Sequence, residues 1–197
     1  MVIDQEADLE VCVEEPFGRI PPFRPIADPY SIAVALEVLG RAERPVIIAG
    51  GGGTSSGARA ELIQFAEKLS IPVATSLNAK AMFPYDHPLA VGTPGSYSRA
   101  CANKAVSEAD LVFFIGSHAG GQVTNGYQIP PQGTNVIQLD LNGEEIGRNY
   151  HVKVGLQGDV RETLRVMTAQ ADASPGKGEW LATVSYTHLT LPTILLV

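Results

Sequence analysis

Cysteine is nearly absent from this 197-residue chain, with Cys12 and Cys101 the only two. A disulfide framework is thereby excluded, and a reduced compartment is the expectation, since nothing around either residue asks for a pairing. Long apolar runs are also missing: none approaches the ~20 residues a membrane helix needs, and no basic-then-apolar leader opens the chain. The reading is therefore a soluble, cytoplasmic protein with no membrane partner. Positive charge is scarce, with 14 Lys and Arg against 21 Asp and Glu and a net charge of −7. No base precedes Arg19, while Asp4, Glu6, Asp8, Glu10, Glu14 and Glu15 all fall in the first fifteen positions. The remainder is almost neutral, so the basic stripe of a nucleic-acid binder is lacking. Catalytic signatures are wanting too. There is no C-x-x-C, no H-E-x-x-H and no nucleophile elbow, and the 4 histidines are scattered. Neither a self-sufficient catalytic set nor a metal set is expected.

What is present is globular: 45% apolar residues, with 20 Gly and 14 Pro, in a length that can bury a sizeable core. The two ends differ from the middle. Residues 1–27 read as the end of a preceding domain followed by a Pro-rich linker, because PFGRIPPFRP (16–25) lacks periodicity and proline fixes an extended backbone. Residues 172–183 read as a second linker. The last stretch, 184–197, carries no Asp, Glu, Lys or Arg. Its β-branched residues read either as an edge strand or, since VSYTHL resembles translated sequencing adapter, as a non-native tail, which is the reading adopted.

Between them, residues 28–171 alternate. Asp28 and Pro29 cap a stretch with Ile32, Leu36 and Leu39 at helical spacing. PVIIA (45–49) is a short apolar run of the kind buried on both faces of a parallel sheet. A glycine run follows, then Ser55 or Ser56 as a helix cap before Leu62, Phe65, Ala66 and Leu69. PVAT (72–75), LVFFI (111–115), residues 135–139 and residues 152–156 read as further strands, with a helix over 100–108. Asn142 with Glu145, and Asp159 with Glu162, fit helix caps. Strands alternating with helices imply crossover connections, and the expectation is a Rossmann-like, doubly wound parallel sheet of five or six strands with helices on both faces.

Ligands in such folds lie outside the carboxyl ends of the strands. The glycine run at 50–53 lets backbone approach a ligand, and the following helix start suits a pyrophosphate; GGGGTSSG nevertheless fits neither G-x-G-x-x-G nor a Walker loop, so a plain tight turn is an equal reading. His118, in the small-residue loop after LVFFI, is the one histidine at a strand's carboxyl end and hence the acid/base candidate. Asp140, just past a strand, is placed to accept ribose hydroxyls or to serve a turn. Met82, Phe83, Tyr97 and Tyr127 read as core or subunit-contact residues.

The order and spacing of RPVIIAGGG (44–52), IPVATSLNAKAMFPYDHPLAVG (71–92), EADLVFFIGS (108–117), VIQLDLNGEEIGRN (136–149) and GDV (158–160) resemble the central domain of thiamine-diphosphate-dependent enzymes, in the acetolactate synthase and glyoxylate carboligase branch. The resemblance implies a lyase or transferase acting on 2-oxo acids when whole. Thiamine diphosphate and magnesium would then be held by pyrimidine-binding and diphosphate-binding domains outside this chain, in a homodimer or homotetramer. It implies no catalytic or metal-binding residue here, and an inactive piece when alone: Gly158, Asp159 and Val160 lack the third glycine and the later Asn of the magnesium motif. Flavin-binding members hold FAD, and some relatives ADP, in the central domain, whereas other members keep the cleft empty. By resemblance the nucleotide would lie along Gly51, Gly52, Gly92, Gly95, Gly116, Asp140 and Asp159. Acetolactate synthases carry a charged Arg-Phe-Asp-Asp-Arg-like run where this chain has SHAGGQ (117–122), so those contacts are lost. Two further readings stay open: a free-standing NAD- or FAD-binding module without catalysis, and a structural domain with no ligand.

Overall fold

A computed structural model describes residues 12, 14–19, 21–98, 100–173 and 178–189. In chain order they form α1 (Pro29–Arg41), β1 (Pro45–Ala49), α2 (Gly51–Ser56), α3 (Arg59–Leu69), β2 (Val73–Thr75), β3 (Ala90–Gly92), α4 (Ala100–Glu108), β4 (Leu111–Ile115), β5 (Asn135–Asp140), β6 (Val154–Gln157), α5 (Val160–Gln170) and α6 (Gly178–Leu189). Local chemistry sets several of these boundaries. Asp28 accepts the Ser31 amide and Pro29 opens α1; Asp159 accepts the Glu162 amide at the head of α5.

The six strands form one sheet in the order β3-β2-β1-β4-β5-β6, every pairing parallel. β1 and β4 lie at its centre and are buried at all positions, which explains their unbroken apolar runs. Successive side chains alternate between faces. Ile47, Phe113, Ile137 and Leu156 pack with α1, α3 and α5, and Phe65 meets Phe113 edge-on with ring centroids 6.2 Å apart. Val46, Ile48, Val112 and Phe114 pack with α4 and α6, where Trp180 and Val184 are buried and the Trp180 indole donates to the Pro45 carbonyl at 3.1 Å.

Some expectations need correction. The glycine run is not a loop ahead of a serine-capped helix; it is itself helical, Gly50 is the N-cap of α2, and Ser56 lies at its last residue. The missing Cβ atoms let those glycines turn helical directly off the strand. The short strand β3 in HPLAVG has no counterpart among the expected strands, because three residues leave no periodicity. The last strand begins at Val154, two residues later than expected. Asn142 caps a three-residue 3-10 turn, Gly143–Glu145, and bonds the Glu144 amide. In place of a strand from residue 184, α6 runs from Gly178 to Leu189, across the expected 183/184 boundary; residues 190–197 and the acidic positions 1–11 lie outside the described residues. Met82 and Phe83 do join the core, but Tyr97 and Tyr127 are exposed. Both Cys12 and Cys101 are free. Among the described residues no helix is long and apolar enough to cross a membrane.

α3 and α5 are joined by charge as well as by packing. Glu61, nearly buried, accepts from Arg161 Nε at 3.1 Å and Arg165 Nε at 3.0 Å. Burial pushes its carboxyl upward, but its own backbone amide and the two guanidinium groups outweigh that, and the net shift is below the usual value of 4.5. A carboxyl lowered on folding stabilises above its unfolded value and loses that contribution as pH falls through its folded one. Glu61→Gln is therefore expected to cost about 1–2 kcal/mol at pH 7. It should also flatten the fall in stability below pH 4.5, read from urea melts across pH; an unchanged acid limb would show that the pair contributes nothing.

Candidate functional site

In a sheet of this order the chain turns one way from β1 to β2 and the other way to β4, so the β1 and β4 carboxyl ends flank the topological switch point. A cavity of about 440 Å³ opens there. Its floor is Gly50, Gly51 and Gly52 after β1, and one wall is Gly116, Ser117 and His118 after β4. Ser76, Leu77 and Asn78 after β2 make another, and Pro94, Tyr97 and Gln122 close the rim.

Glycine is obligatory where these loops cross. A Cβ on Gly50 would stand 2.3 Å from the Gly116 carbonyl oxygen, and one on Gly116, whose φ is +56°, 2.5 Å from the Gly53 nitrogen. The loops are stitched together: the Gly50 amide donates to the Ile115 carbonyl at 2.8 Å and the Gly52 amide to the Gly116 carbonyl at 2.9 Å. Gly53 donates back to Gly50 at 3.0 Å. Thus two of the amides at the start of α2 are already partnered, and close backbone packing alone accounts for much of the glycine run.

Gly95 acts one layer out. With φ +101° and space for a Cβ only 1.9 Å from the Gln122 carbonyl oxygen, it seats the 93–98 turn on the 116–134 loop. Asn103 holds it from behind, accepting from its amide at 2.7 Å and donating to its carbonyl at 3.1 Å. Pro94 and Tyr97 are positioned as walls in this way. The 116–134 loop, which replaces a crossover helix, holds Ala119, Asn125 and Tyr127 at positive φ, conformations that persist only where surroundings impose them.

Of the residues singled out in the sequence, the cavity brings together Gly50, Gly51, Gly52, Tyr97, Gly116 and His118; Gly95 supports its rim. Gly92 ends β3 and does not line it. Asp140 lies behind the wall, 8% exposed, with Oδ1 accepting the Asn142 amide at 2.9 Å. Burial holds its carboxyl above the usual range and the Glu145 charge adds to this, while the Asn142 and Leu141 amides and His118 pull the other way. Asp159 is 1% exposed and outside the lining. Its oxygens take the Glu162 amide at 3.1 Å, the Ser56 hydroxyl at 2.8 Å and Arg24 at 3.3 Å. Gln122 belongs to the small-residue loop after LVFFI, while Ser76 and Asn78 were not named individually, although both lie just past the end of β2, the one signal that could have found them.

The lining contains no Lys, Arg, Asp or Glu. Its polar groups are neutral amides and hydroxyls plus the His118 imidazole, so the cavity suits a neutral polar body better than a diphosphate. Among the described residues no three His, Cys, Asp or Glu converge as for a metal ion, and Asp159 is fully engaged. These residues do not fit thiamine diphosphate with its magnesium.

The model for the thiamine pyrophosphate enzyme central domain matches residues 32–167. The chain belongs to that family. This central domain is 36% identical over 170 residues to a "Probable acetolactate synthase large subunit" of Methanocaldococcus jannaschii, covering 85% of this chain and 29% of that protein. It is 34% identical over 177 residues to an acetolactate synthase large subunit of Corynebacterium glutamicum, covering 89% and 28%. With a glyoxylate carboligase of Escherichia coli O157:H7 it shares 32% over 202 residues, covering 97% and 34%. The central domain thus spans about a third or less of the curated relatives it matches.

Proposed function

We propose that this chain is the scaffold domain of a thiamine-diphosphate-dependent carboligase or decarboxylase acting on 2-oxo acids, with its chemistry on neighbouring domains of the same enzyme. The observation that carries the reading is a parallel sheet, within the stretch the family model matches, whose own residues offer no seat for the cofactor: Asp159 of the GDV stretch is spent on a helix cap and an ion pair. Thiamine diphosphate, where bound, supplies the carbanion chemistry. This chain's residues shape the cleft floor, keep it neutral, and present surface for the pyrimidine- and diphosphate-binding domains in a homodimer or homotetramer.

A second reading concerns the cleft, as a site for FAD or ADP using Gly51, Gly52 and Gly116, with the nucleoside end favoured by the neutral walls. Its place at the switch point and its volume support this. The same feature would serve the competing reading of a free-standing nucleotide-binding module.

Two experiments separate these. Residues 21–189 grafted in place of the matching segment of the Methanocaldococcus relative should retain that protein's acetolactate synthase activity, whereas the chain alone, given thiamine diphosphate and magnesium, should show none; turnover by the chain alone overturns the scaffold reading. For the cleft, FAD or ADP at 100 times its dissociation constant should stabilise the chain by about 2.7 kcal/mol, and Asn78→Ala in the cleft wall should weaken binding. No thermal shift with FAD, ADP or NAD removes the nucleotide reading and leaves the scaffold one standing.

A further inference from the structure

Arg24 lies in the segment between the 3-10 turn Glu15–Phe17 and α1, outside any helix or strand, yet its guanidinium makes four hydrogen bonds. Nη1 donates to the Ser56 carbonyl at 2.8 Å, to Ser56 Oγ at 3.2 Å and to both Asp159 oxygens at 3.3 Å. Ser56 Oγ donates onward to Asp159 Oδ2 at 2.8 Å and accepts the Arg161 amide at 3.0 Å. The strap on either side is tied to the same place: the Asp159 amide donates to the Pro25 carbonyl at 2.7 Å, and the Ala27 amide to Thr163 Oγ1 at 3.2 Å. Three segments therefore meet in one knot: the strap, the last residue of α2 and the head of α5. Phe23 and Ile26 are exposed, so little apolar burial holds the strap otherwise.

The other end of α2 is the cavity floor. α2 has only six residues, about 9 Å from end to end, so Ser56 at one end stands little more than one turn from Gly51 and Gly52 at the other. We propose that Arg24 is a positioning residue that latches the strap to α2, so that strap and cavity floor open and close as one unit. Displacement of whatever precedes residue 24 then changes the cleft, and occupancy of the cleft changes the hold on the strap, because such coupling is reciprocal. The proposal needs no ligand and stands apart from the nucleotide reading.

Backbone amide hydrogen exchange on the full chain tests it. Arg24 has a one-third exposed side chain, so Arg24→Gln is expected to fold. Exchange at Ala27 and Asp159 in the strap contacts, and at Gly52 and Gly53 in the floor, should rise together by about tenfold, the loss of one charged hydrogen bond. Ala90 and Lys153, at the two edges of the sheet and outside the knot, should keep their rates, since they open locally. Gly158→Ala gives an independent displacement, since its Cβ would stand 2.6 Å from the Ala27 nitrogen and 2.7 Å from Thr163 Oγ1 while Arg24 stays intact. It should give the same selective pattern. Either variant loosening the strap while Gly52 and Gly53 keep wild-type rates overturns the coupling. Acceleration by one common factor, Ala90 and Lys153 included, overturns it equally, as does no change at all.

Discussion

Gly116→Ala is expected to lower stability by about 3–5 kcal/mol, combining a strained left-handed backbone with a forced insertion into packed atoms. At φ +56° the new Cβ would lie 2.5 Å from the Gly53 nitrogen and 2.8 Å from the Gly52 carbonyl carbon, all backbone that has no side-chain freedom with which to yield. Relief would require the β1 and β4 loops to part, which breaks the Gly52 amide to Gly116 carbonyl bond of 2.9 Å and opens the cavity floor. For a chain of this size the loss corresponds to a melting temperature lower by roughly 10 °C. Urea denaturation measures it directly. A cost below 1 kcal/mol would mean that the two loops are not in contact and that the cavity as drawn is absent.

Phe113→Ala should cost about 3–5 kcal/mol, because a large side chain is removed from a site that cannot collapse around the void. Phe113 is fully buried on a central strand, paired with Ile47 on one side and Ile137 on the other, and its ring abuts Phe65. The control is Phe23→Ala on the exposed strap, 66% accessible, where the change should stay within about 0.5 kcal/mol. Equal losses at both positions in the same urea titration would contradict the assignment of the core.

The sheet was legible because burial on both faces demands apolar residues at every position. LVFFI and PVIIA meet that demand with no competing helical reading, and α4 could be bounded to the residue from its flanking acid and strand. β3 was not legible: its three residues pair with β2 through an irregular register, which depends on where β2 already lies. The glycine run was legible only as two equal alternatives: in sequence, Gly50 to Gly53 reads as room for a ligand or as a tight turn; in space, the Gly116 backbone fills the room beside Gly50 and Gly52. Glycine reports close approach without saying of what. Asp159 shows the converse. Its capping role follows from a spacing of three to Glu162, but Arg24 and Ser56, 135 and 103 residues away, could be assigned to it only once the chain had folded. The neutral character of the cleft is likewise a property of which loops converge, not of any one of them.

All six strands run the same way, and none pairs with a neighbour through a tight hairpin. β1 cannot acquire its β4 partner until Leu111 has been made, about 66 residues after Pro45. At ribosomal speeds of roughly 5–20 residues per second, the β4-facing edge of this buried apolar strand waits on the order of 3–13 s for its mate. During biosynthesis that interval is when a sticky nascent segment most needs shielding, so a slow-release chaperone should matter more to the yield of this polypeptide than its final stability does.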